Sequence, residues 1–143
     1  MYPRICYNDA MADTATRTAL ELSVEDWRRY DPAGAIHQRQ MVARQELARS
    51  RRRALRTARR AAGLLRESFG ARRVVLFGSL TKRGGFTSWS DIDLAAWGIA
   101  SHQFYAAVAA VTGLSAEFKI DLVDSDFCRP ALRSAIEREG VDL

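Results

Sequence analysis

The sequence predicts an α/β chain of the α+β kind, ordered helix, strand, strand, helix, strand, helix, with a long Arg-rich helix leading the fold. Three observations carry this. Leu47, Leu55, Ala58, Ala62, Leu65 and Phe69 recur at helical spacing among arginines, which reads as one amphipathic helix. Two apolar runs, 73–77 and 91–97, flank a stretch rich in Gly, Ser and Thr, which reads as two strands around a loop. Residues 117–123 alternate between Phe118, Ile120, Leu122 and Glu117, Lys119, Asp121, the period-two pattern of a half-buried strand.

Taken in order, residues 1–34 are weakly patterned and read as a partly ordered N-terminal arm, ahead of a domain spanning 35–143. In the arm, Ser23 before Glu25, Asp26 and Trp27 resembles a helix start, and Asp31-Pro32-Ala33-Gly34 resembles a turn. The long helix follows and stops near Gly70. Arg73 to Phe77 is a buried strand that Gly78-Ser79 breaks. Lys82 to Ser90, with Gly84-Gly85, is a loop, and Asp91 to Trp97 resumes strand character. Ser101 is placed as the cap of a helix whose Phe104, Val108 and Val111 share a face, with Gly113 ending it. Beyond the third strand, Pro130 suits the first turn of a last helix running toward Gly140.

A length of 143 residues with 48% hydrophobic composition fits one domain and leaves little chain for a second, substrate-holding one. Met1-Tyr2-Pro3-Arg4 does not open an apolar leader, and the weakly polar stretch from Phe104 to Leu114 is too short to span a bilayer. A cytoplasmic location with no membrane association is expected. Cys6 and Cys128 are too few and too far apart for a zinc site or a disulfide framework, so both are expected to be reduced and structural.

Charge is divided unevenly. Residues 39–73 hold 12 arginines against Glu46 and Glu67, a local charge of +10 in a chain whose net charge is +5. Clustered arginine attracts phosphate through a salt-sensitive field, so nucleic acid or an acidic protein is a conceivable partner. A solvated outer helix face is the preferred reading, because base readout would want interleaved aromatics and the stretch has Phe69 alone.

The chemistry lies in three aspartates. Asp91 and Asp93 are two apart and on a strand project to the same side, away from Ile92 and Leu94. Asp121 stands likewise among Ile120, Leu122 and Val123, and joins them if its strand lies alongside. Such a cluster of like charges is costly without cations, and Mg²⁺ takes carboxylate oxygens, waters and substrate phosphates as ligands. Two such ions can activate an attacking hydroxyl and stabilise a leaving pyrophosphate, with Asp121 placed to orient or deprotonate the acceptor. Gly78-Ser79 supplies the phosphate side: glycine after a strand lets the backbone approach an anion, and a following short helix presents amides and the Ser79 hydroxyl. Lys82 and Arg83 are positioned to neutralise the nucleotide, or equally to form a solvated pair.

Leu76-Phe77-Gly78-Ser79, the eleven residues to Asp91, Ser90-Asp91-Ile92-Asp93-Leu94 and Ile120-Asp121-Leu122 together resemble the minimal nucleotidyltransferase family of the DNA polymerase β superfamily, over about residues 50–143. The combined pattern is specific, whereas each piece alone occurs by chance in many chains. The resemblance implies a small mixed β-sheet of nucleotidyltransferase type flanked by helices. It implies phosphate binding at Gly78 and Ser79 with Lys82 nearby, Mg²⁺ at Asp91 and Asp93, and Asp121 completing the metal and catalytic set. ATP is the implied substrate. The family's usual Arg-Ala-Arg-Gly after the Gly-Ser pair is here Leu80-Thr81-Lys82-Arg83-Gly84, which implies a weaker triphosphate grip. Family members of this size are frequently antitoxins that AMPylate a tyrosine of a helical HEPN ribonuclease toxin. An external protein acceptor also suits a chain with no length left to enclose a small substrate.

Of the remaining residues, Trp89 and Phe86 can stack on a nucleobase, though loop aromatics more often pack onto their own domain. His37 and His102 lack partners at metal or catalytic spacing, and Asp124 and Asp126 are explained by an acid-enriched helix N-terminus. The function expected is therefore Mg²⁺-dependent transfer of AMP to a hydroxyl of a HEPN-type toxin. The alternatives are a non-catalytic interaction module and a nucleic-acid binder using the Arg-rich helix.

Overall fold

A computed structural model of the chain describes residues 23–29 and 31–143, and Cys6 lies outside them. The chain divides into two compact units, Met1–Met41 and Val42–Leu143. In the first, α1 (Val24–Arg29) follows Ser23, as expected. The segment read as a turn at Asp31 is instead the start of α2 (Pro32–Phe69): the Asp31 carboxylate accepts from the Gly34 amide at 2.9 Å, and Pro32 takes the first helical position, where its missing N–H costs nothing.

Within the second unit α2 ends where predicted. Gly70 adopts φ +70°, and the Ala71 amide donates to the Leu65 carbonyl at 3.0 Å. The buried side of α2 is Ala54, Ala58, Ala61, Ala62 and Leu65, so mostly small residues bring the helix close to the sheet. Leu55 and Phe69 are half-buried and Leu47 is exposed.

Four strands follow: β1 (Arg73–Phe77), β2 (Ile92–Trp97), β3 (Ile120–Asp124) and β4 (Val141–Asp142). Their order is β3-β2-β1-β4, with β2 antiparallel to β1, β4 antiparallel to β1, and β3 parallel to β2. The parallel pair needs a crossover, which α3 (Ser101–Thr112) supplies. Its N-cap is Ala100 and not the expected Ser101, and no side chain caps it. β3 begins at Ile120 and not Glu117 because the Ser115 hydroxyl accepts from the amides of Glu117 and Phe118 at 3.1 and 3.0 Å, holding the chain in a turn there. The last helix, α4 (Pro130–Glu139), has Pro130 at its start and Gly140 at its end, as read.

Alternation sorts the sheet into two faces. Val74, Leu76, Ile92, Leu94, Ala96 and Ile120 join the α2 alanines, Ala107 and Val111 in the main core. Val75 and Ala95 face the other way and meet Ile136 of α4, with Phe77, Trp97 and Val123 partly buried around them. The small mixed sheet flanked by helices, led by a long Arg-rich helix, is thus the architecture found. No helix among the described residues is long and apolar enough to cross a membrane.

Candidate active site

The site is assembled at one end of the sheet by strand register. Phe77 pairs with Asp93 across the β1–β2 ladder, and Asp93 pairs with Asp121 across the β2–β3 ladder. Asp93 and Asp121 therefore stand side by side on the face opposite the main core, and Asp91 lies just before β2 at the same end. The sequence puts Asp91 and Asp93 on one side and lets Asp121 join them if its strand lies alongside, and the register does bring Asp93 and Asp121 to adjacent strands.

Gly78 leaves β1 with φ +75° and opens a single 3-10 turn, Gly78–Leu80. Thr81 closes that turn by donating its hydroxyl to the Gly78 carbonyl at 2.9 Å. A Cβ on Gly78 would lie 2.1 Å from the Asp93 Oδ2, so only glycine lets this corner approach the carboxylate so closely. Ser79 is half-buried in the turn. From α2, Arg51 donates to the Leu80 carbonyl at 2.8 Å and ties the helix to the corner.

Lys119 is the residue that sequence reasoning passed over. Its Nζ lies 2.7 Å from Asp121 Oδ2 and 3.6 Å from Asp91 Oδ2. The hydrogen bond to Asp121 holds the ammonium above the usual lysine range, helped by the charges of Asp121 and Asp91. Asp93 differs: burial pushes its carboxyl upward, Asp121 and Asp91 add to that push, and Lys119 opposes it. Position gave the available signal, since 119 is two residues before Asp121 and so shares its side of an extended chain.

Among the described residues, no group of three or more His, Cys, Asp and Glu is arranged to hold a metal ion. The donor chemistry nevertheless suits a hard divalent cation. Three carboxylates offer oxygens at one strand end, and a positively charged ammonium already stands between two of them. Asp91 and Asp121 keep 43% and 48% of their side-chain surface exposed, so the cluster is open to solvent.

Other candidates are placed differently. Lys82 lies 3.4 Å from Glu139 of α4, whose carboxyl is held below its usual range by Arg138 and then by Lys82. Phe86 packs into the core, as expected for a loop aromatic, but Trp89 does not pack down and is 91% exposed. His37 and His102 are exposed, and Cys128 is a free thiol. Asp124 and Asp126 do not sit at a helix N-terminus: α4 has no acid in its first turn, Asp124 accepts from the Asp126 amide at 3.0 Å, and Asp126 accepts from the Gly98 amide at 2.7 Å. They shape the turn after β3.

On α2, Arg49, Arg52, Arg56, Arg59 and Arg60 are exposed, which accords with a solvated face. Arg53 grips Glu117 through both carboxylate oxygens at 2.6–3.1 Å, and Arg66 donates to the Leu143 carbonyl. Part of the basic run therefore fastens the helix to its own unit.

No protein-family model and no curated protein matches the chain. Solved structures do. A chain of a mutant toxin–antitoxin MntA–HpeT is 18% identical, with 59% of this chain and 70% of that one aligned at a TM-score of 0.50. A toxin–antitoxin crystallised with AMP-PNP is 22% identical over 57% and 67%, at 0.49. A proposed minimal nucleotidyltransferase is 28% identical over 69% and 94%, at 0.43. At 18% identity the likeness to MntA–HpeT is one of fold: this chain shares its fold with a toxin–antitoxin protein.

Proposed function

We propose that the chain is a Mg²⁺-dependent nucleotidyltransferase that moves AMP from ATP to a hydroxyl of a partner protein, and that it serves as the antitoxin of a HEPN-type toxin. The observation that carries the reading is the register that sets Asp93 beside Asp121 and against the Gly78 corner. The fold shared with MntA–HpeT supports a toxin as the partner class, and the exposure of Asp91 and Asp121 suits a macromolecular acceptor.

The residues divide the work as follows. The Gly78 backbone and the Ser79 hydroxyl receive the phosphate tail, and Lys82 leaves Glu139 to add positive charge beside it. Asp91 and Asp93 would hold the cations, with Asp121 completing the set. Bound Mg²⁺ would neutralise charge on the triphosphate and lower the acceptor hydroxyl's hold on its proton. Asp121 orients that hydroxyl and takes its proton as the hydroxyl oxygen bonds the α-phosphorus. The bond to the β-phosphate bridging oxygen breaks, and pyrophosphate leaves.

The test is transfer of label from ATP carrying radioactive α-phosphate to the co-expressed partner. Wild type labels it, and Asp91→Ala and Asp93→Ala each lose at least about a hundredfold, as expected for removal of an essential electrostatic group. Labelling retained by both variants overturns the assignment.

A second reading has its own support. With Lys119 seated between Asp91 and Asp121, the chain can be a contact module that neutralises its partner without chemistry. In that case the same variants bind and protect as wild type does.

A further inference from the structure

We infer that Lys119 is a resident counter-ion: its ammonium holds Asp91 and Asp121 together in the metal-free protein and is displaced when a divalent cation enters. The inference rests on reading the aspartates as a metal centre, and adds a competitor built into that centre.

Geometry supports it first. One ammonium, 2.7 Å from Asp121 and 3.6 Å from Asp91, spans two carboxylates from separate segments, the loop before β2 and the strand β3. Both lie beside Asp93, to which Lys119 makes no ion pair. Three like charges at one strand end repel unless a cation stands among them, and in the described structure that cation is Lys119.

The side chain also suits exchange. Lys119 is 63% exposed, on a four-carbon stem that carries a compact, strongly hydrated charge. It can swing into water with little loss of packing, which a buried or forked arginine could not do so cheaply. A divalent ion reaching Asp91 and Asp121 must meet the same oxygens, so the two cations exclude each other. By linkage, whatever affinity Lys119 has for those oxygens is subtracted from that of the metal. The cluster is thus kept assembled before the metal arrives, at the expense of metal affinity.

The experiment titrates the whole chain with Mn²⁺ by calorimetry, and melts it with and without that ion. Lys119→Met is expected to bind Mn²⁺ roughly fivefold more tightly than wild type, the scale of one charge contact near 4 Å in a water-exposed site. Without metal it should melt below wild type, with a larger rise on adding Mn²⁺. Lys119→Arg keeps the charge but yields the carboxylates less readily, so it should melt near wild type without metal and bind Mn²⁺ no more tightly than wild type, and Lys119→Gln repeats the test should the methionine variant fold poorly. Equal or weaker binding by Lys119→Met, while wild type binds, overturns displacement and leaves the metal centre standing. An unchanged metal-free melting temperature overturns the counter-ion role. No Mn²⁺ binding by any of these proteins overturns the metal centre and displacement with it.

Discussion

On one face of the sheet Val74, Leu76, Ile92, Leu94, Ala96 and Ile120 are buried in a core shared with α2 and α3. On the other, Val75 and Ala95 meet Ile136, while Phe77, Trp97 and Val123 stay half-buried and Asp93 and Asp121 stand among them. Both faces are read from the same strands, since consecutive side chains point in opposite directions. One set of residues is thereby free to serve stability while its neighbours serve the site. A carboxylate cluster would be intolerable on the first face and is tolerated on the second because that face is left partly wet.

The largest expected effect tests the closed face. Leu94 is fully buried on the central strand, so Leu94→Ala should cost about 2–5 kcal/mol in chemical denaturation. Val123→Ala, on the half-covered face, should cost clearly less, about 1 kcal/mol, because it removes fewer carbons and a smaller cavity results. Equal costs would show that the two faces do not divide labour as described.

The next effect has the opposite sign for folding and for activity. Asp93→Asn removes one of three neighbouring negative charges and relieves the burial of a carboxylate. The metal-free protein should melt about 2 °C higher while, on the function proposed above, transfer from ATP is lost, the usual opposition between a functional charge cluster and stability. A lower melting temperature would mean that Asp93 holds the fold together, and would weaken the division between the faces.

Much of this was legible in the sequence because the signals were periodic. Alternation of Phe118, Ile120 and Leu122 with Lys119 and Asp121 gave a strand and the side on which its carboxylate stands. Gly70, Gly113 and Gly140 marked helix ends. What was missed depended on partners distant in the chain or on single hydrogen bonds. β4 is two residues long and exists because Val141 and Asp142 pair with Leu76 and Val75 of β1. Asp31-Pro32-Ala33-Gly34 reads as a turn, and only the hydrogen bond from the Gly34 amide to Asp31 makes it a helix cap. Lys119 looked like the polar half of an alternating strand, and its meaning came from Asp91, which the loop brings across from 28 residues earlier in the numbering.

The smallest effect lies at the rim of the open face, where Arg73 covers the Trp97 ring at 4.8 Å and donates to Asp142 at 2.6 and 3.2 Å. This pairing holds the Asp142 carboxyl below its ordinary value of 3.8. Because the folded form binds the proton less readily than the unfolded chain, the pair stabilises at pH above 3.8, and that stabilisation is lost as pH falls through the folded value. Asp142→Asn should therefore melt about 1 °C below wild type at pH 7, a small figure because both groups are largely in water. The gap should close in acid below pH 3.8, since wild type then loses what the variant never had. A gap unchanged between pH 7 and pH 3 would assign the loss to β4 pairing and not to charge, and the rim of the open face would then contribute through its backbone alone.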